Sequence, residues 1–235
     1  MLGASIGSFI TMAAYRIPKG KSMVFPSSYC PKCGKKLKKY SLVPILSFLF
    51  QRGRCLECGE KISRRYLLIE VANTAMYVVL FCMYGATLKT IYLGIVFSTL
   101  FLISYIDFEC MLVDLRTILF LLFLSIIHII CNPIDPLSVI YTVLIYYVFL
   151  LVCERITKMV TGKMKDFVGG GDKKLVAVCG CFLARGQIGA FFLLSGLFGI
   201  LTAIVWKRLK RESMFPFGPA LALSLFILLN QYYLM

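Results

Sequence analysis

The sequence predicts an all-α, polytopic membrane fold with about eight transmembrane helices and one cytoplasmic, zinc-ribbon-like loop domain. Three observations carry that expectation. Hydrophobic residues make up 60% of the 235 residues and charged ones 16%, with a mean hydropathy of +0.85. An average soluble domain is about 45–50% apolar and about 25% charged. The apolar residues gather into runs near the length that crosses hydrocarbon, about 20 residues. The 26 Lys and Arg side chains gather in alternate connections between those runs. This composition excludes a water-soluble globule, a disordered chain, collagen and a coiled coil. Strands are excluded from the runs because an open sheet in lipid leaves backbone groups unpaired. The formal charge of +15 would suit nucleic acid in a polar chain. In an apolar one it marks loops on the cytoplasmic side, so no nucleic-acid partner is expected.

The candidate spans, in order, are 1–15, 66–86, 90–107, 115–132, 137–153, 173–184, 187–206 and 216–234. The first is short, and is either re-entrant or the remainder of a span that starts upstream. It lacks the basic n-region and small-residue cleavage site of a signal peptide. Segment 173–184 is also short and reads as a tilted or partly buried half-span. Lys and Arg number thirteen in 16–65, one in 108–116, six in 154–174 and four in 207–211, together 24 of the 26. The opposite connections hold only Lys89 and Arg185. With eight spans, all four rich connections fall on one face. That places them in the cytoplasm and both termini outside.

The large loop, 16–65, contains Cys30-Pro-Lys-Cys33-Gly and Cys55-Leu-Glu-Cys58-Gly. Tetrahedral zinc takes four thiolates, and two tight turns each presenting a CxxC pair can supply them. Gly34 and Gly59 permit the turn that aims backbone amides at sulfur. The reading is a structural metal site in a segment too small to build its own core. A closed four-thiolate site has no open position for chemistry. A disulfide framework does not suit a reducing cytoplasm. The basic surplus here, thirteen residues against Glu57 and Glu60, reads as topology signal plus attraction to anionic membrane lipid. The other six cysteines (82, 110, 131, 153, 179 and 181) lie in or beside apolar runs as small hydrophobes.

Four carboxylates sit in or beside lipid. Asp107 closes span 90–107, Asp114 opens the next, Asp172 opens 173–184, and Glu70 lies one turn into 66–86. On the derived topology all four are at cytoplasmic ends. Asp107 and Asp172 therefore share one membrane depth across 65 residues of sequence. Ionisable groups at the hydrocarbon edge are costly and are functional candidates by default. Two carboxylates that face each other in a poorly solvated site share one proton. One can then take a proton from water while the other polarises a peptide carbonyl. Gly169, Gly170 and Gly171 would let backbone approach an extended substrate, and Lys173 and Lys174 would favour an ionised neighbour. The plainer readings are an N-cap for Asp172 and likewise for Asp114 with Arg116 and Thr117. A proton or cation pathway is a further alternative.

These residues resemble the type IV prepilin peptidases, membrane aspartyl proteases of the GxGD kind. The resemblance runs in the family's order through Gly7-Ser8-Phe9, Tyr15-Arg16-Ile17-Pro18 and the CxxC pairs. It continues through Val43-Pro44-Ile45-Leu46-Ser47, Arg52-Gly53-Arg54-Cys55 and Ile62-Ser63-Arg64-Arg65-Tyr66 to Glu70. It resumes at Asp107 with Asp114 and at Gly169-Gly170-Gly171-Asp172-Lys173-Lys174-Leu175. Val113 stands where many members carry Pro, and Ser41 where an acidic residue is frequent. The resemblance implies that Asp107 and Asp172 are catalytic and that Cys30, Cys33, Cys55 and Cys58 hold zinc. It implies supporting roles for Asp114, Gly169, Gly170, Gly171, Lys173 and Glu70. It implies cleavage of the short basic leader of prepilins or pseudopilins on the cytoplasmic side, and N-methylation of the new terminus with S-adenosylmethionine. No strand–GxGxxG–helix unit accompanies that second activity. The domains expected are 1–15, a first membrane segment; 16–65, the four-cysteine zinc-ribbon loop; and 66–235, a transmembrane protease core. The location is the inner or plasma membrane, multi-pass. Rival functions are a non-enzymatic zinc-ribbon membrane adaptor and an ion or proton transporter using the edge carboxylates.

Of the rest, His128 reads as packed or locally hydrogen-bonded, Tyr105 and Phe108 as an interfacial belt, and Tyr232 and Tyr233 as the outer belt.

Overall fold

The computed structural model of the chain describes residues 1–132, 134–161, 169–210 and 215–234. Within these it is helical, with no strand and two isolated β-bridges. The helices are α1 (Leu2–Arg16), α2 (Leu46–Phe50), α3 (Arg64–Tyr84), α4 (Leu88–Cys110) and α5 (Leu115–Cys131). They continue with α6 (Pro136–Thr161), α7 (Gly170–Gly180), α8 (Ile188–Lys210) and α9 (Gly218–Leu234). Every apolar run coincides with a helix. Four stretches are long and apolar enough to cross a membrane: Arg64–Tyr84, Leu88–Cys110, Leu137–Ile156 and Arg185–Arg208. Helices α5 and α9 are apolar at 17 residues each. At 11 residues, α7 rises only about 16 Å. It is a half-span that starts three residues before the expected segment and stops four short. Stretch 162–168 of the basic connection and Arg211 of the basic run lie outside the described residues.

The chain forms two compact units, Met1–Ser98 and Thr99–Met235. In the first, α1 packs along α3. A side chain on Gly7 would reach within 2.8 Å of the Glu70 Cα, so the two backbones meet directly. Small residues allow this approach where water provides no drive for helix association. A buried polar chain reinforces it. Asn73 Nδ2 donates to the Gly3 carbonyl at 2.7 Å, and Ser98 Oγ donates to Asn73 Oδ1 at 3.0 Å. The loop 17–63 lies at one end of this pair, and Ser63 caps α3 by accepting from the Arg65 amide.

In the second unit α7 packs against α5, α6 and α9, and α8 against α9. Leu121, Tyr146, Leu175, Cys179, Phe191, Leu225 and Leu229 are fully enclosed. His128 is packed and hydrogen-bonded. Its Nδ1 lies 2.9 Å from the Tyr233 hydroxyl, and its ring stacks edge-on to Tyr232. Tyr232 and Tyr233, both half-buried, thus form one aromatic cluster with His128.

Candidate functional site

In the first unit, two knuckles with the same backbone plan bring four thiols together. The Gly34 amide donates to the Cys30 carbonyl and the Gly59 amide to the Cys55 carbonyl, each at 2.9 Å. The Cys30 amide donates to the Lys35 carbonyl and the Cys55 amide to that of Glu60. Each turn needs a left-handed residue after the second cysteine, and Gly34 (φ +71°) and Gly59 (φ +70°) supply it. The sulfur atoms of Cys30, Cys33, Cys55 and Cys58 all lie within 4.8 Å of one another. Cys30 and Cys58 are 3.9 Å apart, and a zinc tetrathiolate with ~2.3 Å bonds has sulfur–sulfur edges of about 3.8 Å. The donor set therefore fits zinc. The Cys33 backbone amide, helped by that of Lys32, brings the Cys30 thiol down to about 7 against the opposing push of burial. Cys30 thus offers a thiolate near neutrality, whereas at Cys58 the pull of the Glu60 amide is outweighed by burial and the neighbouring thiols, which push it up to about 11. Lys32 pairs with Glu60, and Lys35 with Glu57 at 3.0 Å, so the exposed charges clip one knuckle to the other.

Just behind the knuckles, Glu70 is buried. Its Oε2 accepts from the Ile45 amide at 2.7 Å. Ile45 sits at φ +63°, ψ −56°, and the Leu46 amide bonds Pro44 across it. This γ-turn is strained for a β-branched residue. A buried carboxylate holding it explains why Val43–Ser47 and Glu70 belong together.

In the second unit, Asp107 near the end of α4 and Asp172 in the first turn of α7 lie within electrostatic reach of each other. The charge of Asp107 acts directly on Asp172. Asp107 is 4% exposed, and its Oδ2 accepts from the Gly218 amide at 2.8 Å. Asp172 receives the Gly169 amide, while its Oδ1 is buried with no hydrogen-bond partner. An ionisable oxygen enclosed without a partner is costly, and such groups concentrate at working sites. Gly218 was not evident from sequence. A Cβ there would lie 2.8 Å from Asp107 Oδ2, so only glycine lets the backbone donate. The signal was the Pro216-Phe217-Gly218-Pro219 stretch, which opens the last apolar run. Glu154 was also missed. Its Oε2 accepts from Lys173 Nζ at 2.8 Å in a largely enclosed pair, so Lys173 ties α7 to α6.

The remaining candidates separate. Asp114 caps α5 through the Arg116 amide at 2.9 Å, with Thr117 Oγ1 bonding its carbonyl. Gly171 meets Val113, whose Cβ would be 2.8 Å from an added methyl. Gly169 and Gly170 are exposed. Phe108 stacks edge-on to the buried Trp206 at 5.0 Å and is itself exposed.

A multi-pass helical membrane protein with a four-thiol centre and a pair of buried carboxylates is the class that fold and sites define. Residues 1–84 match the bacterial Peptidase A24 N-terminal domain, and residues 94–204 match the type IV leader peptidase family. A prepilin leader peptidase/N-methyltransferase of Bacillus subtilis is 34% identical over 94% of this chain and 88% of its own. Proteins of that description from Neisseria gonorrhoeae (31%) and Pseudomonas putida (29%) each align over 95% of this chain and 86% of theirs. No solved structure matches. The chain belongs to the prepilin leader peptidase/N-methyltransferase family, a family of proteases.

Proposed function

We propose that this protein cleaves the short basic leader of a type IV prepilin or pseudopilin at the cytoplasmic face of the inner or plasma membrane. Asp107 and Asp172 act as the catalytic pair. The reading is supported by two buried carboxylates within electrostatic reach of each other, one nearly enclosed and the other with an unpartnered buried oxygen. One carboxylate takes a proton from water as the water oxygen bonds the scissile carbonyl carbon. The other gives its proton to the carbonyl oxygen. Collapse of the tetrahedral species breaks the C–N bond, and the departing amine takes up a proton. Gly218 and Gly169 orient one carboxylate each through backbone amides. Gly170 and Gly171 keep the approach to Asp172 free of side chains. Asp114 and the Lys173–Glu154 pair support the segments beside the pair, and Glu70 supports the loop. The topology read from the sequence puts these carboxylates at one membrane edge, which favours hydrolysis over ion transport.

Zinc on the four cysteines would fold the loop and leave the chemistry to the aspartates. S-adenosylmethionine, when bound, supplies an electrophilic methyl group for the newly exposed amine. The division into 1–15, 16–65 and 66–235 follows these roles. Anionic lipids accompany the basic loops. Co-expression with a prepilin gives a direct test. Wild type should shift the prepilin on a gel. Asp107→Asn and Asp172→Asn should each lower leader loss by about 10²–10⁴-fold, the usual weight of a general acid or base. Undiminished cleavage in either variant would refute the assignment.

A further inference from the structure

The first unit holds a cavity of about 430 Å³ between α1, α3 and the cysteine loop. That is within the roughly 300–1,000 Å³ of ordinary ligand sites. Two charged side chains in its wall are almost fully enclosed, Arg16 at 5% and Glu70 at 8% exposure. Arg16 donates to the Ser22 carbonyl at 3.0 Å and the Pro26 carbonyl at 2.6 Å. Glu70 accepts from the Ile45 amide and the Ser8 hydroxyl. Among the described residues neither meets an opposite charge, and they do not pair with each other. A buried charge without a counter-charge is expensive. Two such charges of opposite sign in one cavity make a receptor for a molecule that carries both. Tyr29, Phe48 and Tyr66 also line the space. Aromatic faces suit a flat base and a positively charged centre.

We infer that this cavity binds S-adenosylmethionine, with the carboxylate of its amino-acid end on Arg16 and its ammonium on Glu70. The inference rests on the methyl transfer proposed above. It assigns that reaction's cofactor to residues of the first unit rather than to those around the aspartates.

The test is calorimetry on the full-length, zinc-loaded protein in phosphatidylcholine nanodiscs. The probes are S-adenosylhomocysteine and 5′-methylthioadenosine, which lacks the amino-acid end. Wild type should bind the first at least tenfold more tightly. Arg16→Gln and Glu70→Gln should each erase that preference and leave methylthioadenosine binding unchanged. Arg16→Lys should retain part of it. Met12→Trp, which fills the cavity from α1, should weaken both ligands at least tenfold. Zinc content and unfolding temperature report folding. If the charge variants fail to fold, the wild-type preference and Met12→Trp decide. Absence of S-adenosylhomocysteine binding, absence of a preference over methylthioadenosine, or indifference to a folded Arg16→Gln or Met12→Trp overturns the inference. Displacement by phosphatidylglycerol in the nanodisc would assign Arg16 to a lipid phosphate and overturn it equally. Leader cleavage by the same preparations keeps the two readings apart. Cleavage without binding removes only the cavity assignment, and binding without cleavage removes only the protease reading.

Discussion

The cysteine loop of the first unit and the aspartate pair of the second solve opposite problems. In the loop the knuckle amides and the two acids are satisfied locally. The thiols face one another, the amides of the knuckles are bonded, and the exposed acids Glu57 and Glu60 meet lysines. In the second unit two carboxylates lie within electrostatic reach of each other where water is scarce, and one buried oxygen of Asp172 has no partner. The first arrangement lowers free energy on folding. The second raises it, and the surrounding packing of Leu175, Cys179 and Leu225 must hold it in place. The lesson is that satisfied polar clusters report folding, whereas frustrated ones report chemistry.

That contrast can be broken in several ways. The largest effect is expected at the aspartates. Asp107→Asn or Asp172→Asn should remove cleavage while leaving the unfolding temperature equal or higher, because a buried charge repulsion is relieved. A fall in unfolding temperature on relieving it would mean the pair is structural. Replacing all four loop cysteines by Ser should act in reverse. Zinc disappears from elemental analysis and the first unit unfolds, since a structural zinc site contributes its binding energy to folding. Retained zinc would dismiss the tetrad.

Gly218→Ala should come next. Its methyl would press on the Asp107 carboxylate, so kcat for leader release should fall about tenfold or more, with KM and zinc content little changed. Below that lies a pH effect. Cys30 is drawn down to about 7, from an ordinary thiol value near 8.5. Its stabilising contribution is full above the ordinary value and is lost as pH falls through about 7. Zinc release, followed with a chromogenic chelator, should therefore rise on acidification below neutrality. The smallest effect is expected at Lys32→Ala. The Lys32–Glu60 pair is exposed, and its loss should leave unfolding unchanged within error.

Much of this was legible in sequence for physical reasons. Apolar runs and one-sided Lys and Arg depend only on the solvent that each residue meets, so the helices stood out. The knuckles were legible because a CxxC–Gly turn is a local device. Asp107 and Asp172 stood out in the sequence as carboxylates at the ends of apolar runs. The partners from distant chain were not legible. Gly218 donates to Asp107 across 111 residues, and Glu154 holds Lys173 from another helix. A glycine that matters for the side chain it lacks leaves no periodic trace. The short α7 was foreseen as a half-span, but its early start at Gly170 was not. Its glycines can enter a helix, and Asp172 in the first turn complements the positive end of the helix dipole.

The central claim is that two carboxylates share one proton around a bound water. The most direct measurement is the pH–rate profile of leader hydrolysis by purified protein under single-turnover conditions, for wild type and both Asn variants. The account predicts a bell in wild type, with two limbs that belong to the pair as a unit, and its collapse to background in either variant. A single limb in wild type, or a bell that survives Asp172→Asn, would contradict it.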